Sequence, residues 1–296
     1  MLLNIYLKNY LTTMRVYRKF DLTDYNSYKI HSICDEVFFP DTENDVIDLY
    51  RKRNDYVILG GGNNVIFSKN HYNIPFIIFN NNFCNVSIKK DIIEAEAGVM
   101  METLSCITLD NGLSGLEIFY DIPASLGGAV FMNAGSGGEE IKDILTKVKF
   151  LDLSDMQIKE IEVEDINFQY RNSFFQQNKN ILILKVWLKL QKKDKGEIST
   201  KMEKLKQQRW IKQPREFPSA GSVFKRPQGY YVGQMVEELG LKGFKIGGAM
   251  VSEKHAGFIV NTGNATGSDI FALIETIQRN VRNKFGIDLI VEQRII

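Results

Sequence analysis

No apolar run in this sequence approaches the roughly 20 residues that a membrane-spanning helix requires. The 296 residues include only three cysteines, at widely spaced positions, which indicates neither a disulfide framework nor a zinc site and fits a reducing cytoplasm. The formal net charge is only +1, so nucleic acid is not expected as the main partner. A hydrophobic content of 44% beside 25% charged residues indicates a globular protein with a sizeable core.

The sequence patterns of a metal site and of a Rossmann dinucleotide-binding domain are absent as well. No cluster of histidine and cysteine indicates a catalytic metal. The Gly-x-Gly-x-x-Gly fingerprint of a Rossmann fold does not occur between a predicted strand and a predicted helix, which argues against a separate nicotinamide-binding domain of that type.

The first thirteen residues are partly apolar but are interrupted by Asn4, Lys8 and Asn9. They lack the small-residue cleavage pattern of a signal peptide. We expect Met14 to be a second possible start of the protein, and the segment before it to add nothing to function.

Glycine is concentrated in one stretch of the chain, between Gly112 and Gly138. Glycine tolerates positive φ and has no Cβ, so such a stretch builds turns in which the backbone closely approaches something bulky. Bare N–H groups in such turns form concavities that hold anions. A tight packing corner is the alternative, and it would be preferred for an isolated Gly-Gly pair. The glycines concerned are Gly112, Gly115, Gly127, Gly128, Gly135, Gly137 and Gly138.

Another glycine-rich loop, Gly60-Gly61-Gly62-Asn63-Asn64, directly follows the apolar run Val57-Ile58-Leu59. Because it comes earlier in the chain, we call it the first glycine loop and the stretch 112–138 the second glycine-rich stretch. Two loops that suit phosphate groups in one domain suggest a dinucleotide ligand. From the residues alone, a dinucleotide site and a packing corner both remain open.

Hydrophobic periodicity predicts a mixture of helices and strands. We predict a charged linker at 192–196, a hairpin turn at Lys90-Asp91, and helix ends at Gly240 and Gly286. Helices are predicted near 43–53, 101–109, 198–205, 232–239 and 270–281, and strands near 57–59, 65–67, 76–79, 86–88, 92–93, 148–153, 158–163, 181–190, 258–260 and 289–296.

Several motifs together resemble the UDP-N-acetylenolpyruvoylglucosamine reductase family, flavoenzymes of bacterial peptidoglycan synthesis. The motifs are Val-Ile-Leu-Gly-Gly-Gly-Asn-Asn-Val-Ile (57–66), the glycine-rich stretch 112–135, Tyr-Arg-Asn-Ser (170–173), Ala-Gly-Ser-Val-Phe-Lys (220–225), the segment 246–256 and Val-Glu-Gln-Arg-Ile-Ile (291–296). They span nearly the whole chain in the expected order, which is more specific than any single motif. The short distance from Gly221 to Gly248 resembles the shorter, type II form.

The resemblance implies an α+β fold: a two-lobed FAD-binding domain of the vanillyl-alcohol oxidase (PCMH) type and a smaller α+β substrate-binding domain. The expected boundaries are 1–66 for the first lobe, 67–193 for the second lobe and 194–296 for the substrate-binding domain. The final strand is expected to return to the first lobe.

The resemblance also implies a tightly held FAD, with NADPH and a sugar nucleotide using one pocket in turn. From the composition and motifs described above, we expect no metal, nucleic acid or membrane partner, and no obligatory protein partner is indicated. The diphosphate of FAD would lie on Gly60, Gly61, Gly62, Asn63 and Asn64. The flavin and its ribityl arm would pack on Ile122, Pro123, Ala124, Ser125, Gly127 and Gly128.

The implied reaction is the NADPH-dependent reduction of an enol ether, UDP-N-acetyl-3-O-(1-carboxyvinyl)glucosamine, to UDP-N-acetylmuramate. Negative charge builds on the α-carbon and its carboxylate, so the site needs donors around that carboxylate, a proton source and dryness. Arg171 matches the family arginine, whose guanidinium can hold a carboxylate in a bidentate fork. Ser222 matches the family's general acid, although a turn serine is the alternative interpretation.

Glu292 lies in the last apolar segment of the chain. Period-2 alternation predicts that it shares a face with Ile290 and Ile296, where ionisation of its carboxyl group is disfavoured. With Arg171, Glu292 would polarise the substrate carboxyl group towards the enediol form. An ordinary strand glutamate is the alternative.

The expected substrate-binding residues are Tyr170, Lys225, Arg226 and His255. The family commonly has Asn-Pro after the lysine, whereas this chain has Arg226-Pro227, so Arg226 could instead reach the diphosphate of the substrate. His255 is expected to line the pocket rather than to catalyse, and His31 to be an exposed turn residue.

Two other functions remain open from the sequence. Another flavoenzyme with the same cofactor fold, such as an alcohol oxidase, would need a different substrate domain, and Ser222, Lys225 and Glu292 argue against it. A non-catalytic nucleotide-binding scaffold would not need an intact Arg171, Ser222 and Glu292.

Overall fold

The structure, a computed structural model, describes residues 14–296. The expectations for residues 1–13 therefore lie outside the described residues. The described chain is an α+β protein, as predicted, and it contains two five-stranded sheets, one three-stranded sheet and three two-stranded sheets. None of the helices within residues 14–296 is long and apolar enough to cross a membrane.

The first part of the chain forms a five-stranded sheet with the strand order β1-β2-β6-β3, and β5 pairs beside β2. The predicted helix α1 is confirmed. It begins at Thr42, whose hydroxyl accepts the Asp45 N–H at 3.1 Å while the Asp45 carboxylate accepts the Thr42 N–H at 2.9 Å. The elements are β1 (Arg15–Asp21), β2 (Ile33–Phe39), α1 (Glu43–Lys52), β3 (Val57–Leu59), β4 (Val65–Ile66), β5 (His71–Tyr72) and β6 (Phe76–Ile78).

The middle part forms an antiparallel five-stranded sheet with the order β13-β12-β14-β8-β7. The predicted hairpin at Lys90-Asp91 is confirmed, because Lys89 pairs with Ile92 across it. The elements are β7 (Val86–Lys89), β8 (Ile92–Glu96), α2 (Met101–Asp110), β9 (Leu113–Ser114), α3 (Leu126–Met132), β10 (Gly135–Ser136), β11 (Glu139–Glu140), β12 (Leu145–Asp152), β13 (Gln157–Glu162), α4 (Phe174–Gln177), β14 (Ile181–Lys189) and β15 (Gln191–Lys192).

The last part contains two long helices and a three-stranded sheet. Helix α7 begins with a capping box between Thr266 and Asp269 and ends at Gly286, whose φ of 69° is the left-handed conformation that glycine adopts readily. The predicted helix end is thus confirmed. The elements are α5 (Lys195–Lys212), α6 (Val232–Glu238), β16 (Lys245–Ile246), β17 (Ala249–Val251), β18 (Ile259–Asn261), α7 (Gly267–Phe285) and β19 (Arg294–Ile295).

The predicted linker at 192–196 is wrong in its second half. The Asp194 carboxylate accepts the N–H groups of Gly196 at 2.8 Å and Glu197 at 3.2 Å, so Asp194 caps α5 and the helix already begins at Lys195.

The predicted continuous strand at 289–296 is also wrong. Lys225 N–H donates to the Ile290 carbonyl and Glu292 N–H to the Val223 carbonyl, both at 2.8 Å, before the chain pairs with β4 as β19. This change of partners breaks the period-2 alternation. Ile290 is 64% exposed, whereas the Glu292 side chain is only 15% exposed, so the two do not share a face.

Two hydrophobic clusters form the core, and they cut across the order of the chain. The first contains the inner face of the middle sheet with α2, α3 and buried residues of α1. The second joins the first sheet to α6, α7 and the small sheet. The first and last parts of the chain therefore share one core.

Replacing Leu273, which is fully buried in α7, with alanine should lower the free energy of unfolding by about 2–5 kcal/mol because a cavity remains. The matched control is Ile211→Ala in α5, where the side chain is 73% exposed and the change should stay within about 0.5 kcal/mol. Urea unfolding followed by circular dichroism measures both. Equal losses in the two variants would contradict the assignment of the second core.

Candidate active site

A cavity of about 1360 Å³ is lined by residues from all three parts of the chain. Pockets for one small ligand usually measure about 300–1,000 Å³, so this cavity has room for more than one. All but one of the site residues predicted from the sequence line it, and the exception is Lys225.

The first glycine loop forms one wall of the cavity and is pinned to the segment after β1. Ser27 N–H donates to the Gly62 carbonyl at 3.0 Å. Gly62 has φ of 69°, and a Cβ there would lie 1.9 Å from the Tyr25 carbonyl oxygen, so only glycine fits. Among the described residues, no backbone N–H of residues 60–64 donates to a protein acceptor. These free donors form a cradle that suits an anion such as a diphosphate.

The second glycine-rich stretch packs against the first loop. A Cβ on Gly60 would lie 2.3 Å from the Ser125 hydroxyl oxygen, and one on Gly127 would lie 2.9 Å from the Ala97 Cβ. Gly127 and Gly128 sit in the first turn of α3, which the sequence analysis did not predict. Glycine disfavours helices, so this helix depends on close packing against Ala97. The packing interpretation therefore holds at Gly60 and Gly127, and the ligand interpretation stays a prediction for the loop with free N–H groups.

Arg171 is held by a network of backbone and carboxylate acceptors. Its guanidinium donates to the Asn133 carbonyl at 3.2 Å and the Gly135 carbonyl at 2.7 Å. Its Nε lies 3.1 Å from Glu292 Oε1. Arg171 has φ of 52°, within a turn closed by mutual hydrogen bonds between Gln169 and Asn172. Asn133 caps α3 in the left-handed conformation, with φ of 45°.

Glu292 sits at the meeting point of the three parts. Burial raises the pKa of its carboxyl group above the ordinary value of 4.5, while the charges of Arg171 and Lys225 act in the opposite direction. Lys225 Nζ donates to the Arg171 carbonyl at 3.1 Å, so the lysine supports this pair rather than lining the cavity. As predicted, ionisation of the Glu292 carboxyl group is disfavoured. The cause is burial where the three parts of the chain meet, and not a strand face shared with Ile290.

Ser222 follows Gly221, whose φ is 79°, on the wall of the same cavity. Val223 N–H donates to the Gly257 carbonyl at 3.1 Å, and the Val223 carbonyl accepts the Glu292 N–H. The loop thus links Ser222 to the segment that carries Glu292. Among the described residues, the Ser222 hydroxyl has no hydrogen-bond partner, and Ser222 is exposed to the cavity.

The remaining predicted residues, apart from Lys225, also line the cavity. Tyr170 lies with its ring 5.3 Å from the Arg171 guanidinium carbon. The Arg226 guanidinium carbon lies 3.8 Å from the centre of the Tyr231 ring. His255 Nδ1 accepts the Gly257 N–H at 3.1 Å, and burial lowers the pKa of His255; both favour a neutral ring with its proton on Nε2.

His31 is away from the cavity, with a 67% exposed side chain, which confirms its expected place in an exposed turn. No group of three or more histidine, cysteine, aspartate or glutamate side chains within residues 14–296 is arranged to hold a metal ion.

The sequence analysis missed a cluster at the junction of α5 with the segment before Ile122. Arg209 donates to the carbonyls of Tyr120 at 2.7 Å and Ile118 at 2.9 Å. The Asp121 carboxylate accepts from Trp210 Nε1 at 2.8 Å and from Arg215. These contacts hold the backbone inside the second glycine-rich stretch, directly before Ile122. Nothing in the spacing of the sequence links positions so far apart.

The fold and the cavity define an FAD-binding protein. The family profile described as "FAD binding domain" matches residues 34–161. The bare N–H groups of the first loop, and the close approach of the two loops, fit this class.

Comparison with known proteins narrows the class to a family. The profile "UDP-N-acetylenolpyruvoylglucosamine reductase, C-terminal domain" matches residues 213–296. The reductase of that name from Francisella tularensis subsp. tularensis is 43% identical and aligns over 93% of this chain and 98% of its own length. The one from Caldanaerobacter subterraneus subsp. tengcongensis is 40% identical, over 98% of this chain and 96% of its own.

A solved structure agrees with these relatives. The UDP-N-acetylenolpyruvylglucosamine reductase from Thermus caldophilus superposes with a TM-score of 0.80 at 30% identity, covering 95% of this chain and 99% of its own. The chain belongs to the UDP-N-acetylenolpyruvoylglucosamine reductase family.

Replacing Gly62 with alanine should reduce the FAD retained on purification, because the new Cβ collides with the Tyr25 carbonyl and displaces the cradle. Gly229→Ala is the matched control, since Gly229 also has positive φ, of 79°, but has open space around it. The ratio of flavin to protein absorbance measures retention. Equal retention in the two variants would count against this loop as part of the FAD site.

The raised pKa of Glu292 predicts how stability depends on pH. A carboxyl group with a raised pKa binds its proton more tightly in the folded state, so the stability it contributes is present below 4.5 and is lost as pH rises through the raised pKa. The wild type should therefore lose stability relative to Glu292→Gln over that pH range. Urea unfolding of both proteins at a series of pH values measures the difference. A difference that is constant, or that changes in the opposite direction, would refute the raised pKa.

Proposed function

We propose that this chain reduces UDP-N-acetyl-3-O-(1-carboxyvinyl)glucosamine to UDP-N-acetylmuramate, with NADPH as reductant and FAD as the bound cofactor. The observation that carries the proposal is the meeting of Ser222 and the Arg171–Glu292 pair on the wall of the cavity that holds both glycine loops. The relatives from Francisella and Caldanaerobacter are named as reductases of the same substrate, which supports the proposal.

The FAD would be held by residues 60–64 at its diphosphate and by Ile122, Pro123, Ala124, Ser125, Gly127 and Gly128 beside the flavin. When bound, it would supply the hydride that the enolpyruvyl group receives. The size of the cavity supports the alternating use of the remaining space by NADPH and the sugar nucleotide.

Arg171 would bind the carboxylate of the enolpyruvyl group. A guanidinium has five N–H donors, and the contacts with Asn133, Gly135 and Glu292 leave others free. Those contacts also hold the group rigidly, so it need not reorganise as charge develops on the carboxylate. Glu292 would lie against the same carboxylate, and its raised pKa favours the protonated form that can donate to it.

Ser222 would deliver the proton to the α-carbon. A hydroxyl group is a weak acid in water, but the carbon that receives the proton is strongly basic once the hydride has arrived. The Ser222 hydroxyl faces the cavity without a protein partner in the described chain, so it is free to approach the substrate. Tyr170, Arg226 and His255 would contact the substrate in the cavity, and Lys225 would act from behind the Arg171–Glu292 pair.

We also propose a division of the chain into two lobes and the substrate-binding domain 194–296, in the cytoplasm. The expected lobes are 1–66 and 67–193, but β5 and β6 pair in the sheet of the first lobe, so that lobe would extend to residue 78. The pairing of β19 with β4 supports the return of the chain end to the first lobe. The second hydrophobic cluster contains residues of both this lobe and the substrate-binding domain, which supports close packing between the two.

The test separates the two half-reactions. Ser222→Ala should leave reduction of FAD by NADPH almost unchanged, because no proton from Ser222 enters that step. Reoxidation by the enolpyruvyl sugar nucleotide should slow by about 10²–10⁴-fold, the loss typical of a missing general acid. Ser222→Cys should recover part of the rate because a thiol also donates a proton.

Anaerobic stopped-flow absorbance at the flavin band measures both steps. Ser87→Ala, an exposed serine on β7 outside the cavity, is the control and should match the wild type in each. Equal slowing of both steps in Ser222→Ala would show that Ser222 shapes the pocket and is not the acid. A wild type that the sugar nucleotide does not reoxidise would reject the proposed substrate.

A further inference from the structure

A buried glutamine lies behind the serine loop, outside the cavity. Gln293 is 4% exposed and directly follows Glu292. Its Nε2 lies 3.0 Å from the Ala220 carbonyl oxygen, 3.2 Å from that of Gly221 and 3.5 Å from that of Ser222. One amide group thus faces three successive carbonyls around the turn that carries Ser222. The mechanism proposed above gives Gln293 no role.

A second buried side chain holds this amide from its other end. The Tyr28 hydroxyl donates to Gln293 Oε1 at 2.9 Å, and Tyr28 is 0% exposed. Burial raises the pKa of Tyr28, so its hydroxyl remains a donor. Since the loop carbonyls can only accept, the NH₂ group points to the loop, and the amide oxygen accepts from Tyr28.

Tyr28 is itself anchored to the last part of the chain. The Asn261 Nδ2 donates to the Tyr28 carbonyl at 2.8 Å, and the Asn261 Oδ1 accepts the N–H groups of Gly263 and Ala265. All three side chains, Tyr28, Gln293 and Asn261, are buried. The contacts run from the segment between β1 and β2 through Gln293 to the backbone of the serine loop.

The position of the Ser222 side chain depends on its own backbone, which Val223 holds on one side through hydrogen bonds with Gly257 and Glu292. Its hydroxyl has no hydrogen-bond partner within the described chain, so its position follows from the backbone of residues 220–222. Gly221 has φ of 79°, and a glycine can leave this conformation at little cost. The amide of Gln293 bonds the carbonyls on both sides of this torsion.

We propose that Gln293 is a positioning residue that clamps the backbone of residues 220–222 and thereby sets the hydroxyl of Ser222, with Tyr28 orienting the amide. This inference rests on the proposed function, because it assigns the purpose of the clamp to the proton-transfer step. Gln293 itself touches neither cofactor nor substrate.

The first test is Gln293→Met, which keeps the length of the side chain and removes its hydrogen bonds. Reoxidation of the reduced holoenzyme by the enolpyruvyl sugar nucleotide should slow by about 10–10²-fold, since small displacements of a reacting group have effects of this size. Reduction of FAD by NADPH should not change. Tyr28→Phe, which removes one hydroxyl, should slow the same step less, and should have no further effect in the Gln293→Met background.

The matched control is Gln278→Met. Gln278 Nε2 donates to the Leu289 carbonyl at 2.8 Å, so it ties down the same C-terminal segment without touching the serine loop. Both half-reactions of this variant should equal those of the wild type. If Gln278→Met reproduces the effect of Gln293→Met, or if Gln293→Met slows both half-reactions equally, the positioning role is overturned.

Hydrogen exchange followed by mass spectrometry tests the clamp without turnover. Peptides that contain residues 220–224 should exchange faster in Gln293→Met and in Tyr28→Phe than in the wild type or in Gln278→Met. Unchanged exchange in both variants overturns the clamp. Faster exchange with unchanged reoxidation overturns the link to catalysis. A wild type that the sugar nucleotide fails to reoxidise, with exchange still faster in the variants, defeats the proposed function and leaves the clamp standing.

Discussion

The parallel pairing of β19 with β4 is the constraint on which the site depends. Arg294 pairs with Val65, and Ile295 with Ile66, so the end of the chain returns to the strand that follows the first glycine loop. Glu292 lies two residues before this pair. The pairing therefore brings Glu292 to the cavity, where the middle of the chain supplies Arg171 and the last part supplies Ser222.

A carboxyl group, a guanidinium and an ammonium group meet at this point, and each contacts another of the three residues. Glu292 is buried, which alone would disfavour its ionisation, and Arg171 and Lys225 act against that penalty. Arg171 in turn is held by two carbonyls at the end of α3. A rigid arginine beside a carboxyl group with a raised pKa suits a reaction in which negative charge develops on a substrate carboxylate.

The glycines of this protein allow close packing at some positions and leave backbone donors free at others. Gly60 and Gly127 allow protein groups to approach each other, whereas the loop at 60–64 leaves its N–H groups free. The close packing makes the cradle rigid, and the free donors give it affinity for anions. The same glycine-rich pattern therefore allows close packing at one residue and leaves a free N–H donor at a neighbouring residue.

The sequence by itself determined the elements with strong local signals. Helix α7 followed from its apolar spacing and Gly286, the β7–β8 hairpin from alternation around Lys90-Asp91, and the family from motifs spread along nearly the whole chain. Contacts between distant segments were decided only by the tertiary structure. The glycine-rich helix α3 forms because it packs on Ala97, and the alternation of 289–296 fails because that segment changes partners. The Arg209–Asp121 cluster and the contact of Tyr28 with Gln293 join residues far apart in sequence, and no local propensity encodes such pairs.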